Sequence, residues 1–121
     1  MVASSVCLWA AGIACLFAPT ETAAVLGRPG ADSLLVQLLG ALYVASGSAN
    51  WTARGSMMGG IYARPLSVAN FFHFVVGAIV LVKEFAPAGS LNAAYVLVTA
   101  GYLAFAVVFA LILYGRLERA P

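Results

Sequence analysis

His73 is the only histidine in this chain, and Ser67, Asn70, Gly77 and Glu84 recur beside it at helical spacing. Residues three, four and seven apart share one face of a helix, so these side chains can border a common space. An imidazole placed there suits two kinds of work. It can exchange a proton near neutral pH, or it can be the polar handle of a pocket for a small hydrophobic molecule. The structural alternative is simpler: a neutral imidazole has one donor and one acceptor, and can hold two helices in register. Tyr43, Gly47, Asn50 and Arg54 share a face by the same rule, as do Asn92, Tyr95, Thr99 and Tyr102.

Several chemistries lack their residues. A single histidine excludes haem with two axial histidines, and a metal site or a His-based nucleophilic triad would need partners this sequence does not offer. Met57 and Met58 have soft sulfurs, but no His or Cys stands at ligand spacing beside them. The loop 54–64 lacks the Gly-Lys-Ser/Thr ending of a phosphate-binding loop. Small drug/proton antiporters need a carboxylate deep in the membrane, whereas Glu21, Asp32, Glu84 and Glu118 all sit at the ends of apolar runs. No catalytic set or metal site is expected, and no cofactor can be named.

Those apolar runs are the elements that must position His73. They cover 2–18, 33–53, 65–85 and 91–115, and ~20 helical residues span the ~30 Å of a bilayer core. Hydrophobic residues make up 64% of the 121 positions, charged residues 8%, and mean hydropathy is +1.02. A small soluble domain buries only ~60–70% of its surface, so lipid must cover the rest. The expected fold is all-α, a single integral membrane domain over 1–121 forming a four-transmembrane-helix bundle. Pro19, Thr20 and Glu21 announce a short interfacial helix near 22–26, with Thr20 as its cap and Gly27 as its end. Asp32 or Ser33 should cap the second span, Pro65 should open the third, and Ser90 should cap the fourth after a turn at 87–89. Cys7 and Cys15 lie ~12 Å apart along one helix, too far to bridge.

The net charge of +2 is too small to argue for nucleic acid. Charge serves better for orientation. Arg54, Arg64, Arg116 and Arg119 fall on one side of a four-span chain, Arg28 and Lys83 on the other. The positive-inside rule then puts both termini in the cytoplasm of a bacterial-type inner membrane. No basic segment precedes the first run, so a retained helix is expected rather than a cleaved signal. The four cytoplasmic arginines suit lipid phosphates, while Met57, Met58, Ile61 and Tyr62 dip into the interface.

Depth follows from this topology. A hairpin through the loop 54–64 sets Asn50 level with Asn70, and Tyr43 near His73. Tyr102 also falls in mid-membrane. The expectation is a layer of Tyr43, His73 and Tyr102, with Asn50 and Asn70 one step nearer the cytoplasm. Ala41, Ala45, Ala49 and Ala53 form a stripe of small side chains that, together with Gly40, Gly47, Ser46 and Ser48, admits another helix backbone. That helix belongs either to the bundle or to another membrane subunit, including a second copy of the chain.

The run Leu16-Phe-Ala-Pro-Thr-Glu-Thr-Ala-Ala-Val-Leu-Gly27, followed by Leu38-Leu-Gly-Ala-Leu-Tyr43, resembles the first hairpin of small DoxX-like four-helix membrane proteins. The likeness covers the first half of the chain and rests on layout: a Phe-Ala-Pro type break, then a Gly-rich second helix. It implies a four-helix bundle sometimes associated with redox enzymes of the inner membrane, and it carries over no functional residue. With no catalytic set of its own, the chain reads first as an accessory subunit and second as a binding or transport module around His73.

The topology has a direct check. Single cysteines at Ser56 and Gly89, in a background without Cys7 and Cys15, should label from opposite faces, with Ser56 cytoplasmic. Labelling of both from one face would remove the four-span arrangement.

Overall fold

The computed structural model describes residues 1–56, 61, 63–85 and 92–115. Five α-helices occur among them: α1 (Val2–Phe17), α2 (Pro19–Val25), α3 (Ser33–Thr52), α4 (Ala63–Phe85) and α5 (Ala93–Tyr114). A 3₁₀ turn, Ala53–Gly55, extends α3. The described residues hold no strand. The expected all-helical class is therefore seen. Two helices, α4 through Glu84 and α5, are long and apolar enough to cross a membrane, which marks a membrane protein. The pair α1 and α2 reaches the same standard only jointly, across a 117° bend. The chain forms two compact units, Met1–Gly55 and Ser56–Pro121.

In the first unit α1 ends where Pro19 starts α2. Pro19 lacks an N–H and suits the first turn of a helix, where that donor has no partner. Thr20 was expected to cap α2, but Ala18 holds the N-cap position and Thr20 donates to Glu21 Oε2 at 2.9 Å instead. Glu21's own backbone N–H, then the Thr20 hydroxyl, hold its carboxyl below the usual range. Thr22 Oγ1 donates back to the Ala14 carbonyl at 3.0 Å, satisfying an acceptor at the end of α1. Past Leu26, Gly27 takes φ 74°, with Gly27 N–H on the Ala24 carbonyl and Arg28 N–H on that of Ala23. This is a Schellman termination, and the left-handed residue it requires is the reason for glycine there. Asp32 caps α3, its Oδ1 accepting from the backbone of Leu34 and Leu35.

Helices α1 and α3 pack antiparallel. A Cβ placed on Gly12 would lie 2.8 Å from the Gly40 carbonyl oxygen, and one on Gly40 would lie 2.8 Å from the Gly12 carbonyl oxygen. Backbone therefore lies against backbone, a close approach that only small residues permit. A Cβ on Gly47 would meet the Trp9 ring at 2.8 Å. Ser4, Ser5, Leu8, Gly12 and Cys15 form the buried face of α1.

In the second unit α4 begins at Ala63, two residues before Pro65. Pro65 still falls within the first turn, where a missing N–H costs no helical bond. Asn92 caps α5 and accepts from Ala94 N–H at 3.0 Å. Ser90, expected in that role, lies outside the described residues, as do Met57, Met58, Tyr62, the turn at 87–89, Arg116, Glu118 and Arg119. Helix α4 runs antiparallel to α5: Tyr95 Oη donates to the Leu81 carbonyl at 2.9 Å, and Phe74 stacks on Phe109 at 5.8 Å between centroids.

The α1–α3 contact is testable by volume. Gly40→Ala drives a methyl into rigid backbone and should cost ~1–3 kcal/mol of stability. Ala45→Leu, on the exposed side of α3, should leave thermal unfolding in detergent nearly unchanged. Equal behaviour of the two variants would deny the glycine contact its structural role.

Candidate functional site

The candidate residues divide between the two units. Tyr43 and Asn50 belong to α3, while Asn70, His73 and Tyr102 belong to the α4–α5 hairpin. Within the hairpin the expected pairing of His73 with Tyr102 is present. The Tyr102 hydroxyl and His73 Nε2 stand 3.3 Å apart. The phenol donates when the imidazole carries its proton on Nδ1, and Nε2–H donates in the other tautomer. Their rings lie 5.5 Å apart at 41°.

Gly77 positions this pair. A Cβ there would strike the Tyr102 ring directly, so glycine lets the tyrosine lie flat on α4 and turn its hydroxyl toward His73. Phe74 then closes the site from the next helical position. It packs edge-on to His73 at 4.9 Å and to Tyr102 at 5.4 Å, and stacks on Phe105 at 4.9 Å. Phe74 and Phe109 are almost wholly buried, whereas His73 and Tyr102 are half-buried. His73 thus borders an aromatic core rather than sitting inside it. Edge-on and offset ring pairs of this kind are each worth ~0.5–1.5 kcal/mol beyond burial.

Three further polar side chains on α4 and α5 bond to carbonyls one turn back. Ser67 Oγ donates to Ala63, Asn70 Nδ2 to Leu66 and Thr99 Oγ1 to Tyr95, each at 2.9 Å. All three side chains are buried. The buried face of α4 runs Ala63, Ser67, Asn70, Phe74 and Ala78, so His73 and Gly77 flank it and Glu84 is exposed at the far end.

On α3 Asn50 is 0% exposed, and its Nδ2 donates to Ser4 Oγ at 3.2 Å. Ser4 and Ser5 hydroxyls donate to the Met1 carbonyl. Trp9 Nε1 donates to Ser48 Oγ at 3.1 Å, and the Trp9 ring lies 5.4 Å from that of Trp51. The Arg54 guanidinium sits 4.2 Å over Trp51, a cation–π contact, and donates to the Trp51 carbonyl. Arg64 is exposed in the first turn of α4. Tyr43 is half-buried, Ala41, Ala45 and Ala49 are exposed, and Ala53 is intermediate.

Ser4, Ser5, Gly12, Trp9 and Trp51 were not anticipated. A signal for Ser5 and Gly12 was present: they are seven residues apart, as are Gly40 and Gly47, the repeat of two helices in sustained contact. Among the described residues no group of three or more His, Cys, Asp or Glu is gathered to hold a metal ion. Every buried side-chain nitrogen or oxygen among them has a hydrogen-bond partner.

Comparison with protein-family models, curated proteins and solved structures finds no significant match. Fold and site geometry alone carry the functional reading.

Two substitutions separate scaffold from chemistry at His73. Tyr102→Phe removes only the hydroxyl and should cost ~0.6 kcal/mol, at most ~1.7, for an interhelical bond in lipid. His73→Gln keeps a donor and an acceptor but cannot titrate near neutral pH. A structural role leaves its thermal stability and cellular function near wild type. A folded His73→Gln protein that loses function assigns proton or ligand chemistry to the imidazole.

Proposed function

We propose that this chain is a small four-span protein of a bacterial-type inner membrane, acting as a non-enzymatic accessory or packing subunit. The observation that carries the reading is the division of faces on α3. Its glycine face, Gly40 and Gly47, is taken by α1 and by the Trp9 ring, while its alanine face at Ala41, Ala45 and Ala49 is exposed. Lipid tails are as apolar as leucine, so helix association relies on close packing, and small residues supply it. A second copy of the chain or another membrane subunit is the partner this face suits.

Dimensions support four spans. Helix α3 has 20 residues, ~30 Å of helix, and α1 has 16, ~24 Å, short enough to require local thinning of the bilayer. Asn50 lowers the hydropathy of α3, but its bond to Ser4 relieves the cost of carrying an amide into lipid. Arg54 and Arg64 border the cytoplasmic loop in this topology, with Arg116 and Arg119 in the tail, and all four suit lipid headgroups.

A second reading is a binding module for a small hydrophobic molecule, or a proton site. It is favoured by the half-buried His73–Tyr102 pair at the edge of the aromatic core.

Purification from native membranes in mild detergent tests the first reading. A stoichiometric partner, or a homo-oligomer, is expected with the wild-type chain. Ala45→Leu and Ala49→Leu should release it while the chain stays folded. A monomeric particle, or an assembly indifferent to both substitutions, would overturn the accessory role.

A further inference from the structure

Both tryptophans of this chain, Trp9 and Trp51, meet at one end of the α1–α3 pair, and Arg54 stands with them. Polar contacts hold the group in place. Trp9 Nε1 donates to Ser48 Oγ, whose own proton goes to the Val44 carbonyl at 2.8 Å. Arg54 Nη1 donates to the Trp51 carbonyl at 2.8 Å while the guanidinium lies over the indole. That bond uses one N–H of the guanidinium, and the side chain is exposed, so a held cationic fork stays open to its surroundings. Charge at this end is one-sided. Glu21 and Asp32, the carboxylates of the first unit, lie at the opposite end of α3, ~30 Å away along its 20 residues. The negative end of the α3 dipole offsets only about half a charge. The same end also exposes apolar surface: Trp51 is 37% exposed, and Val2 and Val6 of α1 are half-exposed.

We propose that this cluster seats the headgroup of one anionic phospholipid, with the Arg54 guanidinium on the phosphate and the two indoles level with the glycerol backbone. A planar guanidinium matches phosphate oxygens in pairs. Its hold on the Trp51 ring and carbonyl restricts it before the lipid arrives, which lowers the cost of ordering it. An indole has an apolar body and a polar N–H, and settles where hydrocarbon meets water. A small soluble anion has no use for exposed indole and valine, whereas a phospholipid matches both halves of the surface. The seat requires this end of the first unit to reach a bilayer surface, as the four-span reading has it, and gives Arg54 a formed site in place of a general attraction to headgroups.

With both tryptophans in the cluster, intrinsic fluorescence reports on it alone. The full chain is reconstituted in vesicles of phosphatidylcholine brominated near the carbonyl end or near the methyl end of the acyl chain. Quenching should be stronger from the carbonyl end. Stronger quenching from the methyl end would place the indoles in mid-bilayer and overturn the site while leaving four spans standing. No quenching from either lipid would overturn the site and the four-span reading together. Lipid choice is read by comparing phosphatidylglycerol and phosphatidylcholine, both brominated near the carbonyl end. Phosphatidylglycerol should associate about fivefold more strongly. Arg54→Gln should bring the two to parity with thermal unfolding unchanged, whereas Arg64→Gln should leave the preference in place. Equal association with wild type, a preference that survives Arg54→Gln, or an equal fall with Arg64→Gln would each overturn the site. Inorganic phosphate, exchanged for chloride at constant ionic strength, should not displace the lipid; displacement would assign the cluster to a soluble anion and overturn the lipid seat. If Arg54→Gln does not fold, the wild-type depth and lipid preference decide together with Arg64→Gln.

Discussion

In hydrocarbon no solvent molecule completes a hydrogen bond, so each polar side chain on a membrane helix must find its partner on the protein. In the proposed four-span reading that constraint organises both units of this chain. Ser67, Asn70 and Thr99 meet it locally, on carbonyls of their own helix. Asn50 and Trp9 meet it across a helix pair, on Ser4 and Ser48. Only the cross-helix bonds specify how two helices align, because a bond to one's own helix survives any rotation against the neighbour. The energy of each is small, ~0.6 kcal/mol on average, and the benefit is register.

The two units pack by opposite devices. Helices α1 and α3 remove side chains until backbones touch at Gly12 and Gly40, and Trp9 fills the space that Gly47 leaves open. Helices α4 and α5 instead interleave large rings, with Phe74 at the centre of Phe105, Phe109, Tyr102 and His73. Gly77 is the one concession in that hairpin, and it exists for Tyr102. His73 is thereby part of an aromatic assembly and part of a polar pair at once. Its imidazole stays at the border of the core, where it can stabilise the hairpin and still be reached.

In the proposed reading, function is carried by surfaces that packing leaves over. On α3 the remaining surface is the alanine stripe, since the glycines are already used. Along α4 and α5 it is an open apolar trough with Ala78 and Ala106 among its lining. Both arise from the same cause: small residues on a helix make a hollow, and in lipid a hollow is filled by another helix or by a chain of the lipid itself.

Much of this was legible in the sequence. The apolar runs determined the helical class and the membrane setting, because helix length and hydropathy are local properties that need no tertiary information. Pro19, Gly27 and Asp32 marked the breaks for the same reason: caps and left-handed turns depend on a few neighbouring residues. The pairing of His73 with Tyr102 followed from depth along two spans. Other features needed the third dimension. The small residues of α3, alanines and glycines together, marked it as a close-packing helix, yet α1 takes only the side of Gly40 and Gly47, because helical spacing defines faces without naming which face a neighbour will take. Thr20 and Asn92 show the same limit on a smaller scale: α2 has Ala18 at its N-cap and leaves Thr20 inside its first turn, while α5 takes Asn92 as its cap, because backbone geometry chooses the cap position. Ser4 as the partner of Asn50, and Trp9 between Ser48 and Trp51, join residues some forty positions apart, and only the antiparallel closure of α1 on α3 brings such residues within hydrogen-bonding reach.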